Sequence, residues 1–231
     1  MLIPVLVISQ TKNVLNTNRV FAKVDKVLEF EKALANHSQK YHTGDWKWRV
    51  YEISSGPDAG GYMIAEGPVS WEQIDGRGNL GTEHNNDWNK NVAIFLTDRG
   101  SSGYSIYEDT ASTVAVTDYA DKINITHYTQ KIGYGSKVWD MIMQMKPVWK
   151  ASEQSVAVYT VSSSGRPGYA VVTRYKNGLK ERASGYRKPM KSRFEAVHGE
   201  DSFDGFVEVQ RNYLDELWSE LLFLRADLGS K

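Results

Sequence analysis

The sequence contains no cysteine, which excludes disulfide frameworks, thiolate metal sites, iron–sulfur clusters and cysteine nucleophiles. It has no excess charge of either sign, since 28 Lys and Arg face 28 Asp and Glu with no run of five like charges. That removes the attraction on which nucleic-acid binders and membrane-surface proteins depend, so neither partner is expected. No segment reaches the roughly 18 consecutive apolar residues of a membrane-spanning helix. What the 231 residues do carry is a high aromatic load, with seven Trp and 13 Tyr.

Residues 2–8 are almost continuously apolar, and Ser9 follows them. A stretch this short cannot cross a bilayer. Two readings stand: the tail of a secretory signal, or a short first strand or leader. Residues 1–18 are therefore set apart as a leader or signal-peptide remnant. The chain is exported if residues 1–10 are such a remnant, and cytoplasmic otherwise.

Comparison of the chain with itself is more informative. Tyr51-Glu-Ile-Ser-Ser-Gly-Pro and the later Gly-Gly-Tyr62 read against Tyr159-Thr-Val-Ser-Ser-Ser-Gly and Pro-Gly-Tyr169. Ala22-Lys23-Val24 reads against Gln130-Lys131-Ile132, and Ser112 to Asp118 against Ser219 to Arg225. All these pairs share an offset of 107 or 108 positions, which points to a duplication with halves 19–126 and 127–231.

The periodicities give each half the same element order. In the first, a short β-branched strand near Val20 precedes a helix through Val27, Leu28, Phe30, Ala33 and Leu34. An aromatic hairpin follows over 46–65, turning through the Gly-rich 54–61. Ser70 reads as an N-cap, a second helix is expected at 86–98, and a closing strand at 113–117. In the second half the strand is 123–132, the helix 136–153, and the hairpin strands 156–161 and 169–175. Pro189 interrupts any helix over 179–197, and a helix over 203–217 leads to a last strand at 221–224. The expected fold is α+β: two tandem ferredoxin-like βαββαβ repeats, whose antiparallel sheets pack face to face into one intramolecular α+β barrel. A single such sheet would leave an apolar face exposed, so the two halves need each other.

On Lys23-Val24, Leu28-Glu29-Phe30, Val50-Tyr51-Glu52, Ser55-Gly56-Pro57, Tyr62, Ser70-Trp71 and Ser219-Glu220-Leu221-Leu222, the chain resembles the dimeric α+β barrel superfamily in a fused form, over residues 19–228. The resemblance implies a fold shared by cofactor-independent monooxygenases of aromatic polyketides, haem-dependent enzymes, muconolactone isomerases and stress-response proteins. These motifs mark the fold rather than a reaction, so no subfamily's catalytic residues carry over.

Alternation in the strand 123–132 puts Ile123, Ile125 and His127 on one face, and the repeat offset matches His127 to Arg19. If that face lines the barrel, both point into one cavity, with His127 the candidate acid–base residue. The alternative is a surface pair or a histidine satisfied by hydrogen bonds. Trp48, Tyr51, Tyr62, Tyr159 and Tyr169 lie on the hairpin strands and are candidates to line a pocket for a flat ligand, or else core-filling strand formers. Trp139, Trp149 and Trp218 read as core residues at helical or helix-end positions. His37 and His42 stand five apart, wrong for one helix face, and His84 and His198 sit in loops, so no metal site is expected. A haem ligand would have to be His127, and no cofactor is expected. The Gly-rich turns lack the ending of a phosphate loop, and the basic stretch 176–193 is followed by acidic residues that cancel its field.

The leading functional expectation is a small-molecule-binding protein holding an apolar or aromatic ligand between the sheets, as a monomer or homodimer. The alternatives are a cofactor-independent monooxygenase- or isomerase-like enzyme, and a structural or interaction module with a filled barrel.

Overall fold

The computed structural model of the chain describes residues 11–162 and 165–231. The signal-remnant reading of residues 1–10 lies outside these. The strands are β1 (Val14–Ala22), β2 (Trp48–Ile53), β3 (Tyr62–Val69), β4 (Leu96–Tyr107), β5 (Lys122–Gln130), β6 (Ser155–Ser162), β7 (Gly168–Arg174) and β8 (Leu214–Leu224). The helices are α1 (Val27–Tyr41), α2 (Trp71–Gly76), α3 (Thr82–Asp87), α4 (Gly135–Ala151), α5 (Met190–His198) and α6 (Ser202–Tyr213).

The strands close into one antiparallel barrel in the order β1-β3-β2-β8-β5-β7-β6-β4. The first half of the chain supplies the neighbours β4-β1-β3-β2 and the second supplies β8-β5-β7-β6. The two sets join where Tyr51 pairs with Leu224 and where Tyr107 pairs with Tyr159. Closure removes the open strand edges on which other chains could add, and an eight-stranded barrel is just wide enough to be filled by side chains or to hold one small ligand.

The helices cover the outside. In α1 the buried positions Phe30, Leu34, His37 and Ser38 follow the helical period and face the outer sides of Trp48, Val50, Tyr62 and Ile64. Burying side chains such as Phe30 and Leu34 contributes about 1.5–3 kcal/mol each. In α4, Val138, Met141, Ile142, Met145, Val148 and Trp149 pack with Phe194 and Phe206 over Val156, Val158 and Val171. The Ser70 cap expected from sequence is present, with Ser70 accepting from the Gln73 amide and Gln73 reaching back to the Ser70 N–H. Among the described residues no helix is long and apolar enough to cross a membrane.

Several boundaries differ from the sequence reading. β1 begins at Val14, inside the stretch assigned to the leader, and β5 spans the division placed at residue 127. The fourth strand of the first half is Leu96–Tyr107, not 113–117. Its sequence, Leu-Thr-Asp-Arg-Gly-Ser-Ser-Gly-Tyr-Ser-Ile-Tyr, has little apolar alternation. It becomes a strand because β1 and β6 offer ladder partners on both sides. Residues 111–120 instead fold against the barrel's interior cluster with Val114, Val116 and Ala120. The expected helix at 86–98 is α3 followed by a π turn at Trp88–Val92 and a 3₁₀ turn at Ala93–Phe95. The expected helix 203–217 stops at Tyr213, so Trp218 belongs to β8.

Candidate functional site

Strand alternation divides the aromatic candidates between two faces. Tyr51 and Ile53 of β2, Met63 of β3, Ile123 and Ile125 of β5, Tyr159 of β6, Val172 of β7 and Leu222 of β8 form the barrel's interior cluster. Trp48, Tyr62 and Tyr169 point the other way. Trp48 stacks on His42 at 3.5 Å, Tyr62 packs on Phe30 and donates to Glu31, and Tyr169 packs on Trp139 of α4. These three therefore belong to the sheet–helix layers and do not line the interior. Tyr62 pairs in register with Glu52 rather than with Tyr51, one residue out of phase with the inward set.

The interior is not filled. It holds a cavity of about 340 Å³ whose lining includes Arg19, Arg49, Tyr51, Tyr119, His127, Tyr159 and Arg174. The lining also includes Ser101, Ser102 and Gly165, which are exposed. Sequence reasoning placed Arg19, Tyr51, His127 and Tyr159 at such a cavity and missed Arg49, Tyr119 and Arg174. Alternation from Tyr51 reaches Arg49 two residues earlier. Tyr119 sits in an irregular segment with no such signal.

Arg19 and His127 meet on a residue that the sequence reading left without a role, the fully buried carboxylate of Glu220. His127 Nε2 lies 2.7 Å from Glu220 Oε1, and Arg19 Nη1 donates to Glu220 Oε2 at 2.8 Å while its Nη2 donates to Oε1. Arg19 also donates to Asp58 at 2.8 Å, and Arg99 donates to the other oxygen of Asp58 at 2.6 Å. Burial pushes the Glu220 carboxyl up, but the bonds and charges of Arg19 and His127 outweigh it and hold the group below the ordinary carboxylate range. An ionised carboxylate only accepts, so His127 donates its Nε2–H to Glu220. The imidazole is further fixed by stacking on Trp218 at 4.0 Å.

At another part of the lining the polar groups are less fully used. The Arg49 guanidinium lies 3.6 Å from the Tyr119 ring and donates to the Gly67 carbonyl. Arg174 donates to the carbonyls of Ala115 and Val116 and to the Tyr159 hydroxyl. Neither arginine is in an ion pair among the described residues. The Tyr119 hydroxyl is buried without a hydrogen-bond partner. Burial pushes the Tyr51 and Tyr159 phenols up to about 12, so both are neutral donors near pH 7.

A second cluster lies on the outer face of β2 and β3. His37 of α1, His42 just beyond its end and His84 of α3 bring one ring nitrogen each within 4.8 Å of one another. The sequence reading rejected a metal site because residues five apart do not share a helix face. His42 is the residue that ends α1, with φ −112° and ψ 87°, so the helical argument does not reach it. Burial pushes both His37 and His42 down, against the hydrogen bonds of Asp87 and Glu66 respectively.

No family model matches the chain, and no curated protein matches it. Solved structures do share its fold. A protein of Fusobacterium nucleatum subsp. nucleatum ATCC 25586 described as a "putative monooxygenase" aligns with TM-score 0.57 and 10% identity, over 91% of each chain. One from Lactobacillus acidophilus NCFM with the same description aligns with TM-score 0.54 and 9% identity, over 95% of this chain and 96% of that one. An anthrone oxidase-like protein aligns with TM-score 0.56 and 11% identity, over 93% and 92%. At such identities the likeness shows the α+β barrel fold alone.

Proposed function

We propose that the chain is a small-molecule-binding α+β barrel protein whose ligand has an apolar or aromatic body and an acceptor-rich, anionic end. The observation that carries this reading is the interior cavity with unspent donors in its wall. Tyr51, Met63, Ile123, Ile125 and Val172 offer an apolar surface. Arg49, Arg174, Tyr119 and Tyr159 offer donors that no carboxylate among the described residues matches. A guanidinium held away from water without a counter-charge is costly, and a ligand carboxylate or similar anion would supply that charge and accept from the Tyr119 hydroxyl. The strand orders β4-β1-β3-β2 and β8-β5-β7-β6 support two ferredoxin-like repeats as the origin of this enclosure.

Native mass spectrometry of the purified protein is expected to show a retained small molecule, or uptake of an anionic aromatic probe such as anilinonaphthalene sulfonate. Arg49→Gln should weaken probe binding about tenfold, the loss of one charge-assisted hydrogen bond. Tyr119→Phe should weaken binding while leaving the unfolding midpoint unchanged or higher, because the hydroxyl it removes is buried with no partner among the described residues. A barrel that takes up neither ligand nor probe would overturn this reading in favour of a structural module.

The 2.7 Å contact between His127 and Glu220 at the cavity wall favours a second reading, an enzyme of the cofactor-independent monooxygenase or isomerase kind. His127 would move a proton through its Nδ1, with Glu220 holding the ring and stabilising its charged form. The monooxygenase and oxidase descriptions of the fold neighbours lend this reading support. Under it, His127→Ala retains ligand binding and lowers turnover of the identified ligand at least 100-fold; unchanged turnover would remove the enzymatic role.

A further inference from the structure

We propose that His37, His42 and His84 form a binding site for one divalent transition-metal ion of the zinc class, with water in its remaining coordination position. The site is separate from the cavity and stands independently of its proposed function: His42 and its partner Glu66 are on the outer, helix-covered side of β3, while the neighbouring Ala65 lines the interior.

The argument begins with where the protons are. His37 Nδ1 lies 2.7 Å from Asp87 Oδ2, and His42 Nδ1 lies 3.1 Å from Glu66 Oε2. A carboxylate only accepts, so each Nδ1 carries the hydrogen, and in the neutral ring each Nε2 is a bare lone pair. Those two Nε2 atoms face each other at 3.4 Å. His84 Nε2 stands 3.4 Å from His42 Nε2, and its Nδ1 lies 3.1 Å from the Asn85 side-chain oxygen, which likewise accepts. With these tautomers and neutral rings, three lone pairs converge on one point. A cation placed between the nitrogens would be bound by all three.

The spacing suits a metal. Nitrogens bound at about 2.0–2.1 Å in a tetrahedron stand about 3.3–3.4 Å apart, and the two Nε2–Nε2 distances are 3.4 Å. Only His84 must close toward His37, and it is the half-exposed member on a six-residue helix. The supports are already assembled. Asp87 is held by Asn91 at 2.8 Å, Glu66 by Arg77 and by the Trp48 indole N–H, and His42 stacks on Trp48. Histidine ligands whose other ring nitrogen donates to a fixed carboxylate are oriented and made more basic. An all-imidazole donor set selects zinc, copper, nickel or cobalt over magnesium or calcium.

The test uses tag-free full-length protein stripped with a chelator and titrated with zinc chloride against a chromophoric competitor. One zinc per chain should bind with Kd below 1 μM, magnesium should not compete, and cobalt(II) should give the intense visible bands of a four- or five-coordinate nitrogen site. His84→Ala should weaken zinc binding at least 100-fold without shifting the metal-free unfolding midpoint, and His37→Gln should do the same to binding. Absence of stoichiometric zinc binding in the parent, equal affinity in His84→Ala, or weak six-coordinate cobalt bands would each overturn the proposal.

Discussion

Glu220→Ala is expected to destabilise the protein by about 3–5 kcal/mol, the cost of leaving a buried ion pair without one partner. For a chain of this size that is a fall in Tm of roughly 6–20 °C. The carboxylate has no solvent exposure, and both its oxygens are used, by Arg19 and by His127. Without it, the Arg19 guanidinium, only 14% exposed, keeps Asp58 alone. Glu220→Gln should be nearly as costly, because one end of the amide would turn an N–H₂ group toward Arg19. Replacing both partners, with Arg19→Leu and Glu220→Leu together, should recover much of the loss, since a matched apolar pair leaves no orphaned charge; Asp58 would still hold Arg99.

The same carboxylate sets an acid dependence. Its folded pKa is lowered, so its contribution is fully present above the unfolded value of about 4.3 and is lost as pH falls through the folded value. The acid-induced part of the decline should therefore be smaller in Glu220→Ala than in the parent. Denaturant midpoints between pH 7 and pH 2 measure both effects. A Glu220→Ala protein within 1 kcal/mol of the parent would mean that Arg19 and His127 find other partners at no cost.

The element order was legible in the sequence because hydrophobic period reports burial of one face, and the faces of α1, α4, β5 and the two hairpins are strongly patterned. β4 was not, because its ladder is held by neighbours rather than by its own side chains. At the site, the placing of Arg19 and His127 at one cavity followed from alternation within β5 and the repeat offset. Trp48, Tyr62 and Tyr169 were misplaced because aromatic content says that a residue is buried but not on which side of a sheet. Tyr51 and Tyr62 lie on adjacent strands with opposite phase, and only register separates them. The histidine cluster was hidden for a different reason. Spacing rules describe ligands within one element, whereas these three come from a helix, the residue that ends it and a second helix more than 40 positions further on. Of the two carboxylates that orient them, Glu66 comes from β3 and Asp87 from the end of the helix that carries His84.

Glu66→Ala should produce a loss of similar size, about 3–5 kcal/mol, by a separable route. The Glu66 carboxylate, 2% exposed, accepts from Arg77 at 2.5 and 2.8 Å, from the Trp48 indole at 2.7 Å and from His42 Nδ1 at 3.1 Å. Truncation leaves buried donors on Trp48 and His42 with no acceptor and opens a gap beneath Arg77. Glu66→Gln should be milder than Glu66→Ala. Its amide oxygen still serves Trp48 and His42, and Arg77, with a fifth of its side chain exposed, can turn to solvent, a freedom that Arg19 beside Glu220 lacks. The two sites therefore predict opposite orders for the conservative change: at Glu220 the Gln variant tracks Ala, at Glu66 it tracks the parent. Zinc extends the comparison, because Glu66→Ala also frees His42 Nδ1 and should weaken zinc binding 10–100-fold, while Glu220→Ala should leave it unchanged. Urea midpoints with and without zinc for the four variants measure these differences. Equal losses in Glu66→Gln and Glu66→Ala would show that Arg77 cannot leave, and that charge rather than hydrogen-bond acceptance is what Glu66 contributes.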